Sequence, residues 1–128
     1  MKVPYYDTLQ SCRLFLEDYF DSFPAGKCQY ASKLVSTVLD LEEVAGYYGP
    51  FGKTAWHAWS YDSNFGLYFD ISLDQFDTKH NSISVLPREN KYLVEVLTET
   101  IKHQDAINFY NVSDFKDVLD AYAIYSKK

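Results

Sequence analysis

An α+β domain is the fold class predicted by this sequence, on three observations. Apolar residues recur at three- and four-residue spacing in two opening stretches separated by a Pro-Gly break. The middle of the chain then changes to strand-like runs divided by a short polar turn. Helical spacing returns toward the C-terminus. The order is helices, a strand cluster, then helices, with no internal repeat, linker or low-complexity tract.

Taken in order, Leu9, Cys12, Leu16, Tyr19, Phe20 and Phe23 predict an amphipathic first helix, broken by Phe23-Pro24-Ala25-Gly26. A second helix is predicted from Lys27 or Cys28 to about Leu39, with Ala31, Leu34, Val35 and Val38 as its buried stripe. Gly46, Gly49, Pro50 and Gly52 predict a loop from Val44 onward. Two strands follow, Thr54 to Tyr61 and Gly66 to Ile71, joined by a turn at Asp62-Ser63-Asn64. Ser82 to Leu86 reads as a short strand stopped by Pro87. Tyr92 to His103 reads as a helix through Leu93, Val96, Leu97 and Ile101. Ser113 is the predicted N-cap of a last helix carrying Phe115, Val118, Leu119 and Tyr122.

Chain length and composition set the outer bounds. A chain of 128 residues predicts a single domain, 1–128, with a core at 27–86 and flanking helical segments at 1–26 and 87–128. Twelve Tyr, nine Phe and two Trp give a short chain the means to build a substantial core. A net charge of −6 with scattered basic residues argues against a nucleic-acid partner, which would need a cationic face. The opening MKVPYYDTLQ has no apolar core of a secretory signal, and no apolar run suggests a membrane span. Two cysteines and no CxxC pair give neither a disulfide framework nor structural zinc. The expectation is a cytoplasmic protein with free thiols, no membrane partner, no metal and no cofactor.

The hairpin is where chemistry enters. With Ser63 and Asn64 at the centre of the turn, Tyr61 pairs with Gly66, Trp59 with Tyr68, and His57 with Asp70. Opposed residues of an antiparallel pair share a face, with Cβ atoms about 4.5–5.5 Å apart. Gly66 is the weak point, since a bulge there would slip the register, and a slip of one residue would turn the two side chains to opposite faces. An Asp beside a His fixes the tautomer and orientation of the ring and stabilises the imidazolium. Cys28 supplies a nucleophile from a helix N-terminus, where unpaired amides and the helix dipole favour the thiolate. The same amides can donate to an oxyanion. Together these are the parts for acyl transfer at an amide or ester carbonyl.

Cys28 at a helix start, His57-Ala58-Trp59 on a strand and Asp70-Ile71-Ser72-Leu73-Asp74-Gln75-Phe76 on the next resemble the transglutaminase-like branch of papain-fold cysteine enzymes. The similarity is closest to short bacterial members, with Cys28, Ala31 and Ser32 matching their Cys-x-x-Ala-Ser opening, and it spans about Lys27 to Leu86. The resemblance implies a papain-like core, with the cysteine helix packed on a small antiparallel sheet. It also implies a Cys–His–Asp triad in that chain order, no metal, and chemistry on amides: hydrolysis, deamidation or transamidation, with a peptide or protein amide as substrate.

Other residues have plainer readings. Cys12 lies on the apolar stripe of the first helix and reads as a buried, inert thiol. Trp59 shares the predicted face of His57 and would wall the site, while Gln75 could reach back to orient Asp70 or the imidazole. The oxyanion-hole side chain is unassigned, with Gln10 and Gln29 the nearby candidates. His80 and His103 read as solvated, and Glu17-Asp18 and Glu42-Glu43 as helix-face charge. The loop carrying Gly49-Pro50-Phe51-Gly52 lacks the marks of a phosphate site and suits a substrate-gating segment. Against the enzyme stands a second reading: a catalytically silent domain of the same fold, acting as a protein-binding or immunity-type module. The surplus of tyrosines and the acidic balance favour it.

Overall fold

The first apolar spacing forms helix α1, Tyr6–Tyr19, in the computed structural model, which describes residues 5–96 and 114–127. Leu9, Cys12, Phe15 and Leu16 are buried, and Tyr19 at the end of the stripe is exposed. After the turn at Phe23–Gly26, helix α2 runs Cys28–Leu39 and buries Ala31, Ser32, Leu34, Val35 and Ser36. Val38 was expected on that stripe but lies in the last turn of the helix and is 37% exposed. Helix α3, Phe115–Tyr125, adds Val118 and Tyr122 to the same cluster, where the Tyr122 hydroxyl donates to Ser11 Oγ at 3.1 Å. Ser113 lies outside the described residues. Asp114 holds the cap position, and its carboxylate accepts a 2.7 Å hydrogen bond from Tyr30 Oη instead of capping the helix.

Five strands form one antiparallel sheet in the order β4-β3-β2-β1-β5: β1 is Glu42–Tyr48, β2 Trp56–Asp62, β3 Leu67–Asp70, β4 Ser84–Pro87 and β5 Leu93–Glu95. Two of these correct the sequence reading. The stretch read as a loop from Val44 is strand β1, paired with β2 along six residue pairs. Glu43 is therefore on a strand rather than a helix face, and accepts from Ser32 Oγ and Lys33 Nζ. The predicted helix from Tyr92 to His103 begins instead with β5, so the segment 87–128 is not wholly helical; residues 97–103 lie outside the described part.

The sheet separates two apolar clusters. Phe69 and Ile71 join the three helices, while Tyr48, Trp59, Tyr68, Leu73 and Leu93 pack together in the second. The sheet also curls until its edges meet. Arg88, just past β4, bonds the Glu95 carboxylate on β5, and Tyr68 Oη on β3 donates to the same carboxylate at 3.0 Å.

The β2–β3 hairpin is in a different register from the one expected. Tyr61 pairs with Tyr68 and Ser60 with Phe69, a shift of two residues. The cause is Asp62, whose carboxylate accepts from the backbone N–H of Asn64 (2.8 Å) and Phe65 (3.3 Å) and so builds a longer turn. Gly66 completes it at φ +66°, a left-handed conformation that glycine adopts without strain. A two-residue shift keeps every side chain on its face, because the strand period is two. Asp70 is thus one diagonal step from His57 instead of directly opposite.

Candidate active site

Three segments converge: the start of α2, the first half of β2, and the end of β3 with the turn after it. His57 is fully buried and Asp70 is 3% exposed. His57 Nε2 and Asp70 Oδ2 are 2.6 Å apart. An ionised carboxylate only accepts, so Nε2–H is the donor. The other oxygen, Asp70 Oδ1, accepts from the Ser72 backbone N–H at 2.8 Å and from Ser72 Oγ at 3.2 Å. Asp70 is therefore held by three donors, which fixes the oxygen it presents to His57.

Cys28 is the first residue of α2 and is 7% exposed. It is close enough to the His57 ring to help raise the ring's affinity for a proton. With Nε2 engaged by Asp70, the nitrogen left to serve the thiol is Nδ1, which is buried and has no hydrogen-bond partner among the described residues. Burial alone would push the His57 pKa down. The charge and hydrogen bond of Asp70, helped by Cys28, outweigh it and raise it to about 10. The ring is thus held as an imidazolium beside a sulfur at neutral pH.

Aromatic rings fix the imidazole on two sides. Trp59, 1% exposed, stacks on it with centroids 5.7 Å apart, and Phe76 meets it edge-on at 4.9 Å. Phe76 in turn stacks on Tyr48 at 4.5 Å. His80, read from sequence as solvated, belongs to this wall: its Nε2 is 2.8 Å from Tyr48 Oη, and its ring packs on Tyr92.

Gln75 reaches the other side of the site. Its Oε1 accepts the backbone N–H of Gly26 at 3.2 Å, two residues before Cys28, and its Nε2 is buried without a hydrogen-bond partner. The Cys28 amide precedes the first intrahelical bond of α2, from Ala31 N–H to Lys27 O, and so lacks an acceptor within the helix. Of the glutamines considered as oxyanion donors, Gln29 is the second residue of α2 and Gln10 is exposed on α1. Cys12 is fully buried in the helical core, where burial pushes its thiol up to about 11.

Arg13 was missed by the sequence reading. It lies within the apolar stripe of α1, between Cys12 and Leu16, and that placement of a charge among core positions was the available signal. Its guanidinium grips the turn between Asp70 and Gln75, donating to Ile71 O at 2.9 Å and to both oxygens of Asp74 at 2.7 and 3.0 Å. Among the described residues, no group of three or more His, Cys, Asp or Glu is arranged to hold a metal ion, and no helix is long and apolar enough to cross a membrane. The chain matches no protein-family model, no curated protein and no solved structure.

Proposed function

We propose that this chain is a cysteine-dependent amide hydrolase or acyltransferase, a short relative of the papain-like, transglutaminase-like enzymes. The observation that carries the reading is the ordered series Cys28, His57, Asp70: a thiol at a helix start against a buried imidazole whose far nitrogen is bonded to a buried carboxylate. The curled antiparallel sheet, with the cysteine helix packed against it, supports the fold half of the proposal.

In this reading the Cys28 thiolate attacks the carbonyl carbon of a peptide or protein amide. As the C–S bond forms, the carbonyl electron pair moves to oxygen. The donors assigned to that oxyanion are the Cys28 backbone N–H and Gln75 Nε2, the latter buried without a partner beside the start of α2. The His57 imidazolium gives its Nδ1 proton to the leaving amine, and the C–N bond breaks. His57, now neutral, takes a proton from water or an incoming amine, which attacks the thioester and releases Cys28. Asp70 holds Nε2–H throughout and offsets the charge on the ring.

The test is formation of an acyl-enzyme with an activated ester, 4-nitrophenyl acetate, followed by intact mass. Wild type is expected to gain one acetyl group on Cys28 and Cys28→Ala none, with circular dichroism of the variant unchanged. Equal acetylation of a folded Cys28→Ala protein contradicts the proposal. One observation favours the rival binding module: His57 is fully covered and Cys28 nearly so, and substrate must open a path to both. On that reading Cys28 stays unmodified by the ester.

A further inference from the structure

We propose that Arg13 is a positioning residue for this site, fixing the Asp70–Gln75 turn so that the Gln75 amide stays aimed at the start of α2. The inference rests on the reading of Cys28 as an acyl-accepting nucleophile and adds a residue to it from outside the triad.

The geometry is specific. The Arg13 side chain is 8% exposed and forms five polar contacts. Ile71, whose carbonyl accepts from Nη1, directly follows Asp70; Asp74, held in the bidentate fork, directly precedes Gln75. Ser82 O receives a longer contact of 3.4 Å, which ties in the strand-bound chain beyond the turn. Ser72, bonded to Asp70, and buried Leu73 anchor the start of the turn, and Arg13 ties it to α1. It is a single 3₁₀ turn, Leu73–Gln75, with no side-chain cap. A short 3₁₀ turn has poor hydrogen-bond geometry of its own, whereas a bidentate guanidinium–carboxylate pair fixes direction as well as distance. The guanidinium also lies over the Phe23 ring, 4.9 Å from its centre, at the head of the turn that ends in Gly26. Gly26 is the residue whose N–H holds Gln75 Oε1. Arg13 therefore touches both segments that meet at the candidate oxyanion position, and Glu17 steadies its Nε from one helical turn away at 3.1 Å.

Two reactions of one thiol separate positioning from mere support. Alkylation by iodoacetamide is a displacement: sulfur bonds carbon, iodide leaves with the electron pair, and no oxyanion forms. Acetylation by 4-nitrophenyl acetate passes through a tetrahedral oxyanion before 4-nitrophenolate departs with its electron pair. Loss of an oxyanion donor costs about 100-fold or more in such a step, and misaiming it by about 1 Å costs on the order of 100-fold at most.

The experiment measures both rates at Cys28, by mass, in wild type, His57→Ala, Arg13→Met, Asp74→Asn, Gln75→Ala and the Arg13→Met/Gln75→Ala double variant. Arg13→Met and Asp74→Asn are expected to slow acetylation by about tenfold or more while leaving alkylation unchanged. The double variant is expected to be little slower than Gln75→Ala, because the two act through one group. Parallel loss of both rates in Arg13→Met, or losses that multiply in the double variant, overturns the inference. Should Arg13→Met fail to fold, the Asp74→Asn comparison decides by the same criteria. If wild-type Cys28 alkylates in a His57-dependent way but is not acetylated, the inference fails while the activated thiolate stands. If alkylation is indifferent to His57, the enzyme reading itself fails.

Discussion

His57 carries a proton on the nitrogen that Asp70 holds, and that has a consequence for stability. Its folded pKa, about 10, lies above the roughly 6.5 of an unfolded histidine. A group raised in this way contributes stability that is fully present below about pH 6.5 and is lost as pH rises through its folded value. Asp70→Asn removes the charge that raises it, and breaking a buried pair from one side costs about 3 kcal/mol or more. The expected outcome is a wild-type advantage over Asp70→Asn in urea unfolding that is largest near pH 6 and shrinks toward pH 10. An advantage that grows with pH, or is absent throughout, contradicts the protonated pair. At this scale the pairing of His57 with Asp70 was legible in residue type and strand order. Gln75 showed as a candidate only, because its role depends on where its two amide atoms end. Arg13 was hidden because its partners are 58 and 61 positions away.

Among the elements, the strand that the glycines concealed is the informative one. Gly46 interrupts the apolar alternation of β1, so periodicity gave no strand there. The structure explains the glycine by contact: a Cβ at Gly46 would lie 1.9 Å from Val94 O and 2.7 Å from Trp59 Cη2. β1 must approach β5 and the indole that stacks on His57, and only a residue without a side chain permits it. Gly46→Ala is expected to destabilise the fold by about 2–3 kcal/mol, as overpacking does. Gly66→Ala meets no atom within 4 Å and bears only the strain of its positive φ, about 1 kcal/mol. Urea midpoints of the two variants check this; equal losses would mean that β5 is not held against β1 as described. β5 itself was illegible because three residues are too few to show a period, and Leu93 also fits the helical spacing of Val96 and Leu97. The β2–β3 hairpin was legible in existence but two residues out in register, since the Asp62 turn is set by side-chain hydrogen bonds that spacing alone does not reveal.

Across the whole molecule, the order helices, strands, helices gave the α+β class, and the structure adds how the parts close on one another. The sheet curls until Arg88 and Tyr68 both reach Glu95, and three helices cover the cluster that includes Phe69 and Ile71. That closure places the α2 start, the β2 histidine and the turn after β3 around one buried imidazole. The central claim is that Cys28 is a nucleophile served by His57. The measurement that tests it most directly is the rate of Cys28 alkylation by iodoacetamide across pH, in wild type and His57→Ala, with buried Cys12 as the internal reference. The account predicts that Cys28 reacts at neutral pH, that His57→Ala slows this reaction about tenfold or more, and that Cys12 does not react. A Cys28 rate unchanged by His57→Ala throughout that range would contradict it.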